Sequence, residues 1–248
     1  MDIPSAPAVA DAIALTRAAA GTVPDVRFRF TCPTPASLDA ALADARLKEA
    51  GVALGRRLIL HVKIDHDDGM RDDALASAAA SLESCRRLFA DQPAPELDVE
   101  GQAAEAAFLA IKHADRLWRR PAKSTTVDGD AWPVLHFGAE VGLVASLVAR
   151  ETRDEALAAA ARLLPDAGEL ANDSESWAST SVWAGGGVAP HARTAVLIGS
   201  FTEVAEMIER FTRGGVSSFL IRGWGVEDVD DREMAIMGAH VLPLVRRT

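Results

Sequence analysis

Hydrophobic and polar positions follow each other along this chain with two different spacings. Short apolar or alternating runs, typical of strands, include DVRFRFTC, RRLILHVKI and AEVGLVASLVA. Between such runs, segments such as RDDALASAAASLESCRRLFAD carry apolar residues every three to four positions, as amphipathic helices do. Strand and helix alternate throughout, and this order predicts a parallel sheet with helices packed on its outside.

The same patterns predict where several elements begin and end. In TPASLDAALADARLKEAG, Ser37 is a suitable N-cap and Gly51 a suitable C-cap for one helix. The residues from Glu169 to Gly187 are polar and contain tryptophan, which favours a loop. The acids from Glu227 to Asp231 are predicted to begin the last helix. Further strands are expected in ELDVEG, DRLWRR, TAVLIGS and VSSFLIRG, and further helices in QAAEAAFLAIKHA, TRDEALAAAARLLPDAG and FTEVAEMIERFTRGG.

The number and order of these elements indicate the fold class. A complete eight-stranded (β/α) barrel takes about 250 residues, and this chain of 248 residues nearly reaches that length although its first strand-helix units are not recognisable. A doubly wound open sheet is the alternative, but the glycine-rich run at Trp183–Gly187 matches neither phosphate-binding glycine pattern. We therefore predict an α/β fold, a TIM-type (β/α) barrel shortened relative to eight strands, in a single domain over residues 1–248.

Composition and charge narrow the classes of function. The chain is 49% hydrophobic and 25% charged, which suits a folded domain with a sizeable core. Its formal net charge of −10 and its scattered basic residues disfavour a nucleic-acid partner. Cys32 and Cys85 lack the spacing of a disulfide framework or a thiolate metal site, which favours a reducing cytoplasm. No run reaches the roughly 18 apolar residues of a membrane span, and the N-terminus has no basic targeting start.

Three segments of the second half resemble a known family. HFGAEVGLVASLVARETRDEALAAAARLL, VWAGGGVAPHARTAVLIGSFTEVAEMIERF and GGVSSFLIRGWGVEDVDDREMAIMGAHVLPLVRR are similar to the bacterial luciferase-like flavin monooxygenases, nearest to the alkanesulfonate monooxygenase branch. KHADRLW and the order of the upstream elements extend the similarity from Ile3 to Arg247. The resemblance implies a TIM barrel, reduced FMN supplied by a separate flavin reductase, and oxygen insertion into a small sulfonate-like or aldehyde-like substrate.

The chain departs from that family at several positions. The family's Gly-Gly-Ser-type turn, which holds the flavin phosphate, corresponds here to Glu100, Gly101, Gln102 and Ala103. The resemblance thus assigns Gly101 and Gln102 to the cofactor, while the carboxylate beside them opposes a phosphate and predicts weak FMN binding. The branch's catalytic histidine and mobile-loop arginine fall on Ser146 and Pro190, and the chain contains no tyrosine.

The length of the match also bears on assembly. Matched to the family, the chain is expected to begin near the end of the second barrel strand. A barrel without its opening strands would expose a sheet edge and apolar helix faces, which proteins cover by pairing. We therefore expect a homodimer or a larger oligomer.

The strand RRLILHVKI carries the first candidate site residues. Its alternation places apolar side chains on one face and His61, Lys63 and Asp65 on the other. If the apolar face packs on the helices, these polar side chains lie in the barrel interior and follow one another toward the carboxyl ends of the strands. Barrel enzymes place their catalytic residues at that end. A Lys–Asp pair there would supply acid-base groups. The structural alternative is an internal ion pair followed by a solvated loop, and metal ligation with His66 is a distant third that we do not favour.

Arginine and tryptophan supply the other candidates. Arg27 and Arg29 in VRFRF point either inward, where they would bind an anion, or outward as a surface pair. The sequence alone favours the outward arrangement. Trp224, after the last strand, either walls a flavin or packs in the core or a dimer contact. Trp183 and Arg222 are candidates for binding the substrate. The alternative for Arg222 is an ion pair with the acids that follow it.

Two classes of function therefore remain open. The first is a reduced-FMN-dependent monooxygenase acting on a small organic substrate. The second is a non-catalytic barrel that binds a flavin-like or hydrophobic ligand or serves as a partner subunit. The changed phosphate turn favours the second class, whereas the well-kept C-terminal half favours a retained site. In either class one cavity at the carboxyl ends of the strands is predicted, lined by Lys63, Asp65, Trp183, Arg222 and Trp224.

Overall fold

The computed structural model describes eight stretches of the chain: residues 27–64, 72–102, 104–121, 138–163, 177–179, 181–183, 196–222 and 227–245. The predicted first helix and the candidate residues Asp65 and Trp224 lie outside these stretches. Backbone contacts divide the chain into two compact units. The first comprises Met1–Trp118 with Pro133–Glu140, and the second comprises Arg119–Trp132 with Val141–Thr248.

Strands and helices alternate in the first unit in the predicted order. Each strand pairs in parallel with the next one along the chain, as strands joined by helical crossovers do. The strands are β1 (Phe28–Cys32), β2 (Leu58–Lys63), β3 (Glu96–Glu100) and β4 (Arg116–Arg119). The helices are α1 (Pro35–Leu42), α2 (Ala45–Leu54), α3 (Asp72–Leu88) and α4 (Ala104–His113).

The segment predicted as one helix between β1 and β2 forms two, α1 and α2. Thr34, and not Ser37, is the N-cap of α1: its Oγ1 accepts from the Ser37 N–H at 3.2 Å, while Ser37 Oγ accepts from the Thr34 N–H at 3.0 Å. Asp44 is the N-cap of α2. Its short side chain competes for backbone N–H groups, and this competition separates the two helices. Gly51 lies inside α2, and the helix ends instead at Gly55, which has a φ of +52°.

The place of Gly51 inside a helix has a packing reason. A Cβ atom at this position would lie 2.4 Å from Cε1 of Phe89 and 3.1 Å from Cγ of Pro95. Phe89 is 1% exposed, so its ring has little room to move. The glycine therefore lets α2 approach the segment that follows α3.

The sheet of the first unit has two faces of different character. Alternate side chains of β1 to β4 are apolar, buried and part of the core, and helices α1, α2 and α4 contact these strands. The members of this apolar set are Phe30, Cys32, Leu58, Leu60, Val62, Leu97, Val99 and Leu117. The intervening side chains are mostly polar and form the opposite face.

The second unit combines parallel strands with a short hairpin. β5 (Glu140–Arg150) pairs in parallel with β8 (Val196–Ser200) and with β9 (Val216–Ile221). The predicted loop contains the antiparallel strands β6 (Trp177–Ser179) and β7 (Val182–Trp183), and β7 pairs with β8, so the loop prediction was wrong for these residues. The helices are α5 (Arg153–Leu163), α6 (Phe201–Arg213) and α7 (Glu227–Ile236), the last of which begins at the predicted acids. No helix among the described stretches is long and apolar enough to cross a membrane.

A bidentate ion pair fixes α7 within the second unit. Arg150, the last residue of β5, places Nη1 at 2.9 Å from Oε2 and Nη2 at 2.6 Å from Oε1 of Glu233. The two side chains are 15% and 7% exposed, so little water screens the pair. The parallel two-bond geometry gives this contact both strength and direction.

We expect Gly51→Ala to lower the free energy of unfolding by about 1 to 3 kcal/mol, because overpacking against Phe89 outweighs the better helix propensity of alanine. Gly238→Ala is the matched control, since nothing lies within 4 Å of a Cβ placed there. Urea unfolding of both variants measures the difference. Equal stability of the two variants would contradict the packing role of Gly51.

Candidate functional site

The polar face of the first sheet, as we call the side chains opposite its apolar core, contains the candidate site. The strand register sets its layers: His61 lies beside Thr31 of β1 and beside Asp98 of β3. The next layer, nearer the carboxyl ends of the strands, contains Lys63 and Glu100. The polar members of this face are Arg29, Thr31, His61, Lys63, Glu96, Asp98, Glu100, Arg116 and Trp118.

A histidine and a glutamate form the central contact of the polar face. Nε2 of His61 lies 2.7 Å from Oε2 of Glu100, and both side chains are 1% exposed. Because a carboxylate only accepts, Nε2 carries the proton and its N–H donates a hydrogen bond to Glu100. Nδ1 is then a lone-pair acceptor, and among the described residues it has no hydrogen-bond partner. The pair therefore presents an oriented imidazole with one basic nitrogen unused.

The charge state of His61 follows from its surroundings. Burial lowers the pKa of His61, and the nearby cations Arg29 and Lys63 lower it further. The hydrogen bond and the negative charge of Glu100 act in the opposite direction without reversing the shift. His61 is therefore neutral near pH 7, and Nδ1 can accept a hydrogen bond or a proton.

Asp98 and Trp118 form a second buried contact on the polar face. The Trp118 Nε1–H donates to Oδ2 of Asp98 at 2.6 Å. The guanidinium carbon of Arg29 lies 4.5 Å from the centre of the Trp118 ring, and Nη2 of Arg29 lies 3.5 Å from the same Asp98 oxygen. Burial raises the pKa of Asp98 to about 6, against the opposing effects of Trp118, Arg116 and Arg29. The cation stacked on an aromatic ring and paired with a carboxylate is fixed in place.

These contacts show the orientation of Arg29 in β1 and of Arg27, which precedes the strand. The outward position favoured from the sequence is wrong for Arg29, whereas Arg27 is 44% exposed. Arg29 lies on the polar face, and Arg27 forms an ion pair with Glu96, which is 2% exposed. Burying acidic groups without cations would cost several kcal/mol each. The arginines on this face offset that cost by pairing with the buried carboxylates.

The amino-terminal part of the polar face contains an ionic cluster. Nη1 of Arg116 lies 2.6 Å from Oε1 of Glu96, and Arg56 approaches the same carboxylate at 3.8 Å. Glu140 also pairs with Arg116. A cavity of about 320 Å³ adjoins this cluster. In β/α folds this end of the sheet serves stability, while chemistry belongs to the carboxyl ends.

The turn after β3 is tight and already hydrogen-bonded. The Gly101 N–H donates to the Trp118 carbonyl at 3.2 Å. A Cβ on Gly101 would lie 2.6 Å from Cβ of Ala106 in α4, so the close approach of this helix requires a glycine here. Gln102 follows and is exposed, and Glu105 lies in the first turn of α4.

The sequence candidates fall into separate places. His61, Lys63, Gly101 and Gln102 lie at the carboxyl side of β2 and β3 in the first unit, where Lys63 is half-buried beside Glu100. Arg222 belongs to the second unit, and its N–H donates to the Ala145 carbonyl at 2.9 Å directly after β9.

The other candidate residues lie in the second unit or outside the described stretches. The backbone of Trp183 pairs with Val196 there. Ser146, on which the sequence resemblance places a catalytic histidine, is 5% exposed in β5. The single cavity predicted for the candidates stays a prediction, because Asp65 and Trp224 lie outside the described residues. The described stretches contain no group of three or more His, Cys, Asp or Glu side chains placed to hold a metal ion.

Sequence reasoning missed the partners of His61 and Arg29. Glu100 had been considered only as part of a turn, and Asp98 and Trp118 had not been considered at all. The signal was present in ELDVE, where the period of two puts three acids on one face, and in RLWR, where it puts Arg116 and Trp118 together. The register between strands then turns these alternations into contacts.

Comparisons with known proteins support the fold. No protein-family model and no curated protein matches the sequence. A riboflavin lyase, solved with modified FMN and the substrate riboflavin, is 14% identical with a TM-score of 0.63, over 99% of this chain and 74% of that one. EDTA monooxygenase from Chelativorans sp. BNC1 is 12% identical with a TM-score of 0.62, over 98% and 80%. The oxygenating constituent of 3,6-diketocamphane monooxygenase from a Pseudomonas putida plasmid, solved with FMN, is 13% identical with a TM-score of 0.55, over 95% and 84%.

These likenesses confirm the predicted α/β fold class with its parallel strands and flanking helices. The alkanesulfonate branch stays a prediction, since the similar structures include several other kinds of enzyme.

The residues present do not fit the phosphate of FMN. Phosphate sites are built from unused backbone N–H groups and cations. Here the Gly101 N–H is occupied by the Trp118 carbonyl, and Glu100 and Glu105 bring negative charge to the same turn.

We predict that His61 makes folding stability fall as the pH drops. Its pKa is lower in the folded protein than the usual 6.5, so the folded state binds the proton less well than the unfolded state. The stabilisation is complete above pH 6.5 and is lost below it, by up to about 1.4 kcal/mol per pH unit. Asp98 acts in the opposite sense between about pH 4 and 6, because its pKa is raised to about 6.

Comparison with His61→Gln separates the two effects, since Asp98 is present in both proteins. Urea unfolding from pH 7.5 to pH 5 should show a smaller loss of stability in the variant than in the parent. Identical pH profiles would mean that His61 is not held in its neutral form by the fold.

Proposed function

We propose that the protein is a luciferase-like oxidoreductase that uses a reduced flavin to oxygenate a small organic substrate. The observation that carries the proposal is the His61–Glu100 pair, which lies on the carboxyl side of a parallel sheet with one basic ring nitrogen unused. The proposal is further supported by the fold, which is shared with two monooxygenases and with proteins solved with FMN. The flavin would be reduced by a separate flavin reductase.

The residues of the chain have distinct tasks in this proposal. His61 accepts a proton at Nδ1 from the substrate, and Glu100 orients the ring and stabilises the imidazolium that forms. Lys63 is half-buried at the edge of the sheet and attracts an anionic group such as a sulfonate or a carboxylate. Trp183, Arg222 and Trp224 remain proposed as substrate and flavin contacts.

A second candidate function is a non-catalytic barrel that binds a flavin-like or hydrophobic ligand. One observation favours it: the turn after β3 uses its glycine N–H and its glutamate within the fold itself. A protein of this class would bind the ligand and show no turnover. The two functions therefore differ in a single measurable property.

We expect His61→Gln to lower substrate turnover by roughly 100-fold or more, the usual range for a lost acid-base group. Turnover is measured with a flavin reductase, a reduced flavin, and a panel of aldehydes and sulfonates. His113→Gln, in the last turn of α4, is the matched control and should keep the parent rate. Flavin binding without any turnover would establish the non-catalytic alternative, and a fully active His61→Gln would remove His61 from the reaction.

The proposal includes a homodimer or larger assembly. Large apolar side chains are exposed on the C-terminal helical segment: Met234 is 52%, Leu242 51% and Leu244 47% exposed. Such side chains are often covered by a second copy. Sedimentation equilibrium at micromolar concentration should therefore show at least a dimer, and a stable monomer would contradict this part of the proposal.

A further inference from the structure

We infer that two copies of this chain pair through the outer face of the C-terminal helical segment, antiparallel to each other and centred on Gly238. The segment comprises α7, a π-helical turn at Met237–Val241 and a 3-10 turn at Leu242–Leu244. The inference rests on the proposed function, which includes a homodimer but does not say which surface forms it. It is carried by the exposure, the spacing and the charges of this segment.

The C-terminal helical segment is apolar on two faces. Its inner face contains Met237 and Val241, which are buried, and the π-helical turn that holds them contacts α6. Its outer face follows the three-to-four-residue period of a helix, and all its members are exposed: Met234, Ala235, Gly238, Ala239 and Leu242. A helix that is apolar all round is normally buried, so we expect another surface to cover the outer face.

No charge interrupts the outer face. Between positions 233 and 245 the ionisable residues are Glu233 and His240. Glu233 is buried in its ion pair with Arg150. The ring of His240 stacks on Phe201, with the two ring centres 4.7 Å apart. An apolar surface is therefore the suitable partner for this face.

The spacing of the large side chains makes the outer face complementary to itself. Met234 lies four positions before Gly238, and Leu242 lies four positions after it. In an antiparallel pair with a two-fold axis at Gly238, Met234 of each copy meets Leu242 of the other, so the contact is made twice. The side chains between them are small, and such residues let two helix axes approach to about 8 Å. A second copy thus places large side chains beside large ones and small beside small ones.

The charges at the two ends of the segment favour the same arrangement. The beginning of the segment is acidic, since it carries one arginine, Arg232, among Glu227, Asp228, Asp230 and Asp231. Arg246 and Arg247 follow the segment in the sequence, beyond the described residues. Antiparallel pairing brings the acidic end of one copy to the basic end of the other, whereas parallel pairing would bring the acids together. This charge complementarity favours a second, antiparallel copy as the partner.

Cysteine cross-linking tests the geometry in the full chain. Facing Cα atoms of two helices in contact are roughly 3 to 5 Å apart, close to the span of a disulfide. Gly238→Cys should therefore give a covalent dimer on a non-reducing gel after treatment with oxidised glutathione. Nothing lies within 4 Å of a Cβ at position 238, so the fold accepts the new side chain. The native Cys32 and Cys85 are buried and do not compete.

Ala235→Cys is the matched control on the same face. In the antiparallel arrangement the two copies of residue 235 are offset by about 9 Å along the helix axis, which is too far for a disulfide. This variant should stay free of cross-links under the same conditions.

Sedimentation equilibrium of Leu242→Glu gives a measurement that does not depend on cross-linking. The new carboxylate would face Met234 of the other copy at both contacts, so the dissociation constant of the dimer should rise by at least about 100-fold. Val52→Glu introduces the same charge at an exposed apolar position of α2 in the first unit and should leave the constant unchanged.

Each outcome decides between the claims. Cross-linking at position 238 and not at 235, together with weaker pairing of Leu242→Glu, is the expected result. A dimer that neither cross-links at position 238 nor responds to Leu242→Glu would overturn this inference and leave the proposed homodimer standing. Cross-linking of Ala235→Cys as well would overturn the antiparallel geometry and the inference with it. A stable monomer would overturn both the inference and the homodimer, whereas the flavin-dependent reaction is decided separately by turnover.

Discussion

Burial of charge is the constraint on which the first unit depends. Asp98, Glu96 and Glu100 are all 2% exposed or less, and a carboxylate at such depth is costly without a cation or a hydrogen-bond donor. Arg27, Arg29, Arg116, His61 and Trp118 supply those partners. Most of these partners come from other strands than the acid they contact, so the ionic groups also favour one register of the sheet.

This arrangement separates the two ends of the sheet. At the amino-terminal ends three arginines converge on Glu96, which leaves that carboxylate fully matched. At the carboxyl ends Glu100 contacts His61, whose imidazole is neutral near pH 7. The carboxylates at the two ends of the sheet are thus met by different groups.

Ion pairs and polar hydrogen bonds also position elements of the second unit. The bidentate contact between Arg150 and Glu233 is largely removed from water and joins the end of a central strand to α7. The helix α6 begins with a capping box, in which Ser200 Oγ accepts from the Glu203 N–H at 3.3 Å and Glu203 Oε2 accepts from the Ser200 N–H at 2.7 Å. Local polar contacts thus define the beginning of one helix and the attachment of another.

Local pattern was enough to predict most of the elements. The strands β1 to β5, β8 and β9 and the helices α3 to α7 lie within the predicted segments, because period and capping are properties of neighbouring residues. The division of α1 from α2 at Asp44 was missed, since the apolar spacing continues through it. The hairpin of β6 and β7 was also missed, because its two- and three-residue strands are too short to show a period.

The sequence by itself determined which faces of the strands are polar, since the alternation in LILHVK and ELDVE leaves no other arrangement. Only the tertiary structure decided what those side chains contact. Residues 61 and 100 are 39 positions apart, and their hydrogen bond requires the register of two strands joined through a helix. The same holds for Arg29, whose inward position was not favoured by its own segment. Its partners, Asp98 and Trp118, come from strands that local spacing places nowhere near it, and the electrostatic cost of burying Asp98 alone sets the direction in which the guanidinium points.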